Sequence, residues 1–195
     1  GIERRLGELA SAASRDRSGA LDPKAIEAAV ERSGLDFGGE HGRAQVAAMH
    51  ALGTGGGVSF LTGVAGAGKS TLLRPLVDAY RRDIRFDPDG REVVGVATGW
   101  AQADALKDAG VARTWAMEPL MQAIAAGEFR PTRNAVLVVE ELSQVAPRPL
   151  LRLLELQAET GFTLKGLGDR EQCQTIEAGD SIEILNRVLP RADRP

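Results

Sequence analysis

The stretch that most restricts the fold of this chain is Val58-Ser59-Phe60-Leu61-Thr62 followed by Gly63, Val64, Ala65, Gly66, Ala67, Gly68, Lys69, Ser70 and Thr71. Five residues rich in β-branched and aromatic side chains run into a glycine-rich bend, and an apolar run at helical spacing (Leu72, Leu73, Leu76) leaves it. The pattern G-x-x-x-x-G-K-[ST], placed between a strand and a helix, is a P-loop. Backbone N–H groups converge on one phosphate only where side chains are small or absent, so glycines must line the bend. The helix beyond it aims its unpaired first-turn N–H groups and the positive end of its dipole at the same anion. Lys69 brings a mobile charge for the β- and γ-phosphates, and the Ser70 hydroxyl is a ligand suited to Mg²⁺. Residues 63–71 therefore read as a nucleoside triphosphate site.

Length and composition bound the rest. A chain of 195 residues is long enough for one α/β domain with a full core plus a helical appendage. The net charge of −3 gives no global basic field, so any nucleic-acid contact must come from a local patch. Cys173 is the only cysteine, which excludes an internal disulfide and a cysteine-rich metal site, and the expected location is the cytoplasm. No apolar run approaches the ~20 residues of a membrane span, and no membrane partner is expected. The start at Gly1 and the end at Pro195 suggest a piece of a longer protein.

Taken in order, a helix over 2–14 carries Ile2, Leu6, Leu9 and Ala10 on one face. Asp22-Pro23 offers an N-cap and a first-turn proline for a helix over 24–32, which Gly34 stops. Residues 38–42 read as a loop, and 43–52 as a helix bearing Gln45. After the P-loop helix, from Ser70 to about Arg82, comes the turn Asp87-Pro88-Asp89-Gly90. The spacing then gives a strand over 92–98, helices over 99–109 and 114–126, and a short apolar strand over 136–139. A helix over 150–159, a strand over 162–168 and a last helix over 181–189 complete the reading. Strands alternating with helices imply right-handed βαβ units and a parallel sheet. Residues 1–42 read as a helical N-terminal segment, 43–190 as the nucleotide-binding domain and 191–195 as a tail.

Two further blocks carry chemistry. Strand 136–139 runs into Glu140-Glu141. A P-loop hydrolase needs one carboxylate at a neighbouring strand tip to hold Mg²⁺ and a second acid to orient or deprotonate the attacking water. Glu140 is assigned to the metal with Ser70, and Glu141 to the water. Farther on, Gly168-Asp169 followed by Gln172 puts an amide after a strand end, where it can sense the γ-phosphate. Cys173 reads as a small core residue. Trp100 and Trp115 are candidate base-stacking residues, and Lys107, Arg113 and Arg130 candidate phosphate contacts.

These three blocks in this order resemble the RecA-like first motor domain of superfamily 1 helicases of the RecD-like branch. The stretch from Val96 through Thr98, Trp100, Gln102 and Asp104 resembles that family's motif facing single-stranded DNA. Leu142 to Gln157, with Gly168-Asp169-Arg170-Glu171-Gln172 and residues 176–180, is most similar to the helicase portion of conjugative relaxase-helicases, which nick one strand and motor along it. The resemblance spans about 43–190. It implies an α/β RecA-like ATPase using ATP and Mg²⁺, with Lys69, Glu141 and Gln172 catalytic and Gln45 at the adenine edge. It implies single-stranded DNA as a partner through Thr98 and Trp100, and a parent chain supplying a second motor domain and a nicking domain. The family's metal carboxylate is an aspartate where Glu140 stands here. One tyrosine, Tyr80, and two histidines, His41 and His50, do not make a nicking site. A RecD-like repair helicase fragment, a P-loop kinase or other nucleotide-binding module without a motor role, and a scaffold docking through 1–42 are the alternatives.

Overall fold

The structure, a computed structural model, describes residues 1–62 and 68–168, with Thr62, Lys69 and Ser143 described as backbone only. Residues 63–67 and 169–195 lie outside the described residues, and with them the P-loop bend, Gln172, Cys173 and the helix expected over 181–189.

The described chain builds helices α1 (Ile2–Arg15), α2 (Pro23–Ser33) and α3 (Gly39–Gly53), strand β1 (Val58–Thr62) and helix α4 (Gly68–Arg81). Then come β2 (Glu92–Ala97), α5 (Trp100–Ala105) running into a 3₁₀ turn (Leu106–Ala109), β3 (Arg113–Ala116) and α6 (Met117–Ala125). β4 (Ala135–Val139), a second 3₁₀ turn (Leu142–Gln144), α7 (Pro147–Thr160) and β5 (Thr163–Gly168) follow. The strands form one sheet in the order β1-β5-β4-β2-β3, and every pairing is parallel. This is the α/β architecture with a central parallel sheet and a preceding helical segment that the sequence implied.

Both faces of the sheet are covered, which is why its strands read as unbroken apolar runs. Side chains alternate along a strand. On β4, Leu137 and Val139 join α1, α6 and α7 in one buried cluster, while Val136 and Val138 join α2, α3, α4 and α5 in another. The N-terminal helices thus share these two layers. Leu6, Leu9, Ala10 and Ala13 of α1 are buried on the α7 side, and Ile26 and Ala29 of α2 on the α4 side. Asp22 caps α2 by accepting from the Lys24 backbone N–H at 2.8 Å, and Gly34 ends it in the left-handed conformation at φ 66°.

Three local expectations change. Residues 114–126 are not one helix: Arg113–Ala116 is a strand, Val94 pairing with Arg113 and Val96 with Trp115, and the helix starts at Met117. Pro119 explains the boundary. In a helix begun at Thr114 it would stand in the interior with no N–H to give, whereas in α6 it falls in the first turn. The helix expected over 99–109 tightens at Leu106 into a 3₁₀ turn, a common way for a helix to end. The loop expected over 38–42 is helical from Gly39, and Gly42 lies so close to Phe37 that a Cβ would stand 2.2 Å from its carbonyl.

Candidate nucleotide and DNA site at the carboxyl edge of the sheet

Of the expected site residues within the described chain, Ser70, Thr71, Glu140, Glu141, Thr98 and Trp100 follow strands that end at one edge of the sheet. The registers pair Thr62 with Gly168, Val139 with Gly166 and Val96 with Val139, so β1, β5, β4 and β2 end side by side. β1 leads into 63–67 and the chain re-emerges as α4 at Gly68. Ser70 and Thr71 are half-buried in the first turn of α4. Two strands away, β4 delivers Glu140 and Glu141, both half-buried, and the Glu140 backbone N–H donates to the Val96 carbonyl at 2.8 Å. That bond ties the acid pair to the end of β2. β5, whose last residue is Gly168, lies between β1 and β4.

The connection from β2 runs outward to β3 and that from β4 runs the other way to β5. The carboxyl ends of β2 and β4 therefore flank a topological switch point, where open α/β sheets hold their ligands. Thr98 is exposed on the β2 side of this crevice, and Trp100, 56% exposed, opens α5 beside it. An aromatic ring left that far in solvent adds little to the core and is available for stacking. Trp115 differs. It is half-buried in β3, 5.7 Å from the Phe129 ring with Arg113 over its face, and it packs against the core. Of the candidate phosphate contacts, Lys107 pairs with Asp104 at 3.2 Å, Arg113 with Glu92 at 3.5 Å and Arg130 with Glu159 at 3.3 Å.

Gln45 is half-buried on α3. Gly53 at the end of α3 packs against Leu76 of α4. Gln45 stands about two turns before Gly53, as Gly68 stands about two turns before Leu76.

Sequence reasoning missed Lys165. It lies in β5, 1% exposed, and its Nζ donates to Ser59 Oγ at 2.6 Å and to the Gly56 carbonyl at 3.0 Å. Burial lowers its pKa from 10.5 to about 7, with the charges of Arg91 and Arg17 acting in the same direction. Ser59 and Lys165 are partners in register, so the lysine fastens β1 to β5 three residues before each strand ends at the site. A single lysine within the apolar run 162–168 was the available signal.

With this geometry in place, the chain is identified as a member of a family. Residues 40–192 match the family model described as an AAA domain, and the chain belongs to that family. Two relatives fit the same picture. A probable conjugal transfer protein TraA of Sinorhizobium fredii is 29% identical over 189 residues, covering 94% of this chain and 16% of its own length. A conjugal transfer protein TraA of Agrobacterium fabrum is 28% identical over 163 residues, covering 77% of this chain and 14% of its own. The chain thus spans about a sixth of the length of the relatives it matches. Among the described residues no helix is long and apolar enough to cross a membrane.

Proposed function

We propose that this chain is the ATP-binding first motor domain of a DNA-translocating helicase that serves conjugative DNA transfer. The observation that carries the reading is the convergence of β1, β5, β4 and β2 at one edge, with Ser70 on one side, Glu140-Glu141 on the other and Thr98 and Trp100 beside the acids. The similarity to two conjugal transfer proteins supports the biological setting.

In this reading, residues 63–71 wrap the triphosphate, Lys69 neutralises its β- and γ-phosphates, and Gln45 reads the adenine edge. The Ser70 hydroxyl and the Glu140 carboxylate are hard oxygen donors, fitting Mg²⁺, which keeps waters and takes few protein ligands. When bound, the ion neutralises charge on the β- and γ-phosphates. Glu141 accepts a proton from the attacking water, and Gln172 senses the γ-phosphate. Thr98 and Trp100 contact single-stranded DNA next to the acids, so a shift of the β2–β4 crevice on hydrolysis reaches the strand directly. The second motor domain of the parent closes the cleft and brings an arginine finger, a group worth ~10³–10⁵ in rate. The nicking domain lies elsewhere in the same parent, and the assembly works in the cytoplasm.

The test is ATP hydrolysis by the full-length parent with and without single-stranded DNA. Stimulation by DNA that is lost in Glu141→Gln supports the motor reading. Hydrolysis indifferent to DNA would instead favour a nucleotide-binding module without a motor role.

A further inference from the structure

Away from the nucleotide edge, a groove of about 550 Å³ runs between α2, α4 and the 3₁₀ turn after α5. Arg32, Arg74, Arg81, Arg82 and Lys107 line it, against two acids, Asp78 and Asp108, in a chain whose formal net charge is −3. Arg74, Asp78 and Arg81 recur at i, i+4 and i+7, which places them in one stripe along α4. Asp78 is engaged by Arg32 at 2.7 Å and Arg82 at 3.2 Å. Burial pushes its carboxyl upward, but those two hydrogen bonds outweigh it and hold the pKa low, so Asp78 stays charged and occupied. Among the described residues no acid pairs with Arg74 or Arg81, and Arg81 Nη1 donates only to the Gly110 carbonyl at 3.3 Å. Lys107 is held by Asp104 in an exposed pair, a contact of little worth that a stronger anion displaces.

From this arrangement we infer that the α2–α4 groove is a second nucleic-acid contact, binding the phosphate backbone of a single strand on the face opposite α1, α6 and α7. Ala29, Pro75 and Gly110 make its walls small and flat. An acidic peptide finds no pocket there to anchor a side chain, whereas a phosphodiester backbone needs only charge and room. Arginine forks suit phosphate oxygens in particular. The choice of nucleic acid as the polyanion rests on the motor reading above; the charge layout does not.

Counterion release gives the expected size. With Arg74, Arg81 and Lys107 each on one phosphate, the log–log salt slope for single-strand binding gains about −2 from this groove, at roughly −0.7 per contact. Replacing two of them removes about 1.4 of that slope, which extrapolated to 1 M salt is on the order of fifty-fold in affinity at about 50 mM. The experiment is anisotropy of a labelled oligothymidylate with this chain at roughly 50 to 200 mM salt, comparing the parent sequence, Arg74→Ala/Arg81→Ala, Lys107→Ala and, as a control on exposed α1, Arg4→Ala/Arg5→Ala. Mg·ATP titration and thermal melting of each variant run alongside, so loss of fold or of the nucleotide site is read separately. Selective weakening and a flatter slope in the groove variants, with the control and nucleotide binding intact, support the groove. Unchanged affinity in both groove variants, no binding by the parent sequence at low salt, or equal displacement by polyglutamate at matched charge would each overturn it, even with Mg·ATP binding intact.

Discussion

Replacing Lys165 by Met should reverse its effect on stability between mildly acidic and alkaline pH. Among the described residues the ammonium has no carboxylate partner, its hydrogen bonds going to Ser59 Oγ and the Gly56 carbonyl, and its pKa is about 7 in the fold against 10.5 as the ordinary value. Below pH 7 both folded and unfolded chains carry the proton, and the fold bears the whole cost of a buried charge. Between pH 7 and 10.5 the unfolded chain holds the proton and the fold has released it, so stability rises with pH at up to about 1.4 kcal/mol per unit. From pH 7.5 to 9.5 that gives roughly 2.5 kcal/mol. Met fills similar volume without a charge, and it leaves two buried acceptors without their donor, a loss of about 1–3 kcal/mol that does not vary with pH. The variant should therefore match or exceed the parent near pH 6 and fall below it by pH 9.5. Urea unfolding midpoints across this range, with the slope m constant, measure the difference. Parallel pH profiles for the two proteins would refute the claim that Lys165 is a buried, weakly basic lysine.

The acid pair should divide by role in a Mg²⁺ titration of ATPase rate in the full-length parent. Glu141→Gln should bind Mg·ATP while turnover falls by on the order of 10²–10⁴, and Glu140→Asp should hold activity or shift its Mg²⁺ requirement. Equal loss in both would end that assignment. Trp100→Ala, at a ring 56% exposed, should leave the melting temperature unchanged and cost about 1–3 kcal/mol in single-strand affinity. Gly42→Ala should lower stability by about 1–3 kcal/mol, because its Cβ meets the Phe37 backbone at 2.2 Å and one of the two must move; an unchanged melting temperature would show that the start of α3 gives way freely.

What the sequence disclosed, it disclosed through local chemistry. The glycine spacing of 63–71, the apolar run before Glu140 and the cap at Asp22 are each determined within a few residues. Strand order is not, because it depends on contacts between residues far apart in the chain; nothing near Thr163 announces that β5 slots between β1 and β4. β3 was absorbed into a helix because four residues are too few to show alternation, and Pro119 was the overlooked stop. Lys165 escaped because a lysine in a strand normally faces solvent, and only the register that sets it against Ser59 shows that it is buried.

Calorimetric titration of this chain with Mg·ATP, set beside Lys69→Ala, tests the central claim most directly. The account predicts saturable one-to-one binding by the parent sequence and its loss in the variant, because α4 opens at Gly68, next in sequence to the glycine-rich residues 63–67, and Lys69 is assigned the charge for the β- and γ-phosphates. Equal affinity in the two proteins would contradict a phosphate-binding role for residues 63–71, and with it the motor built around them.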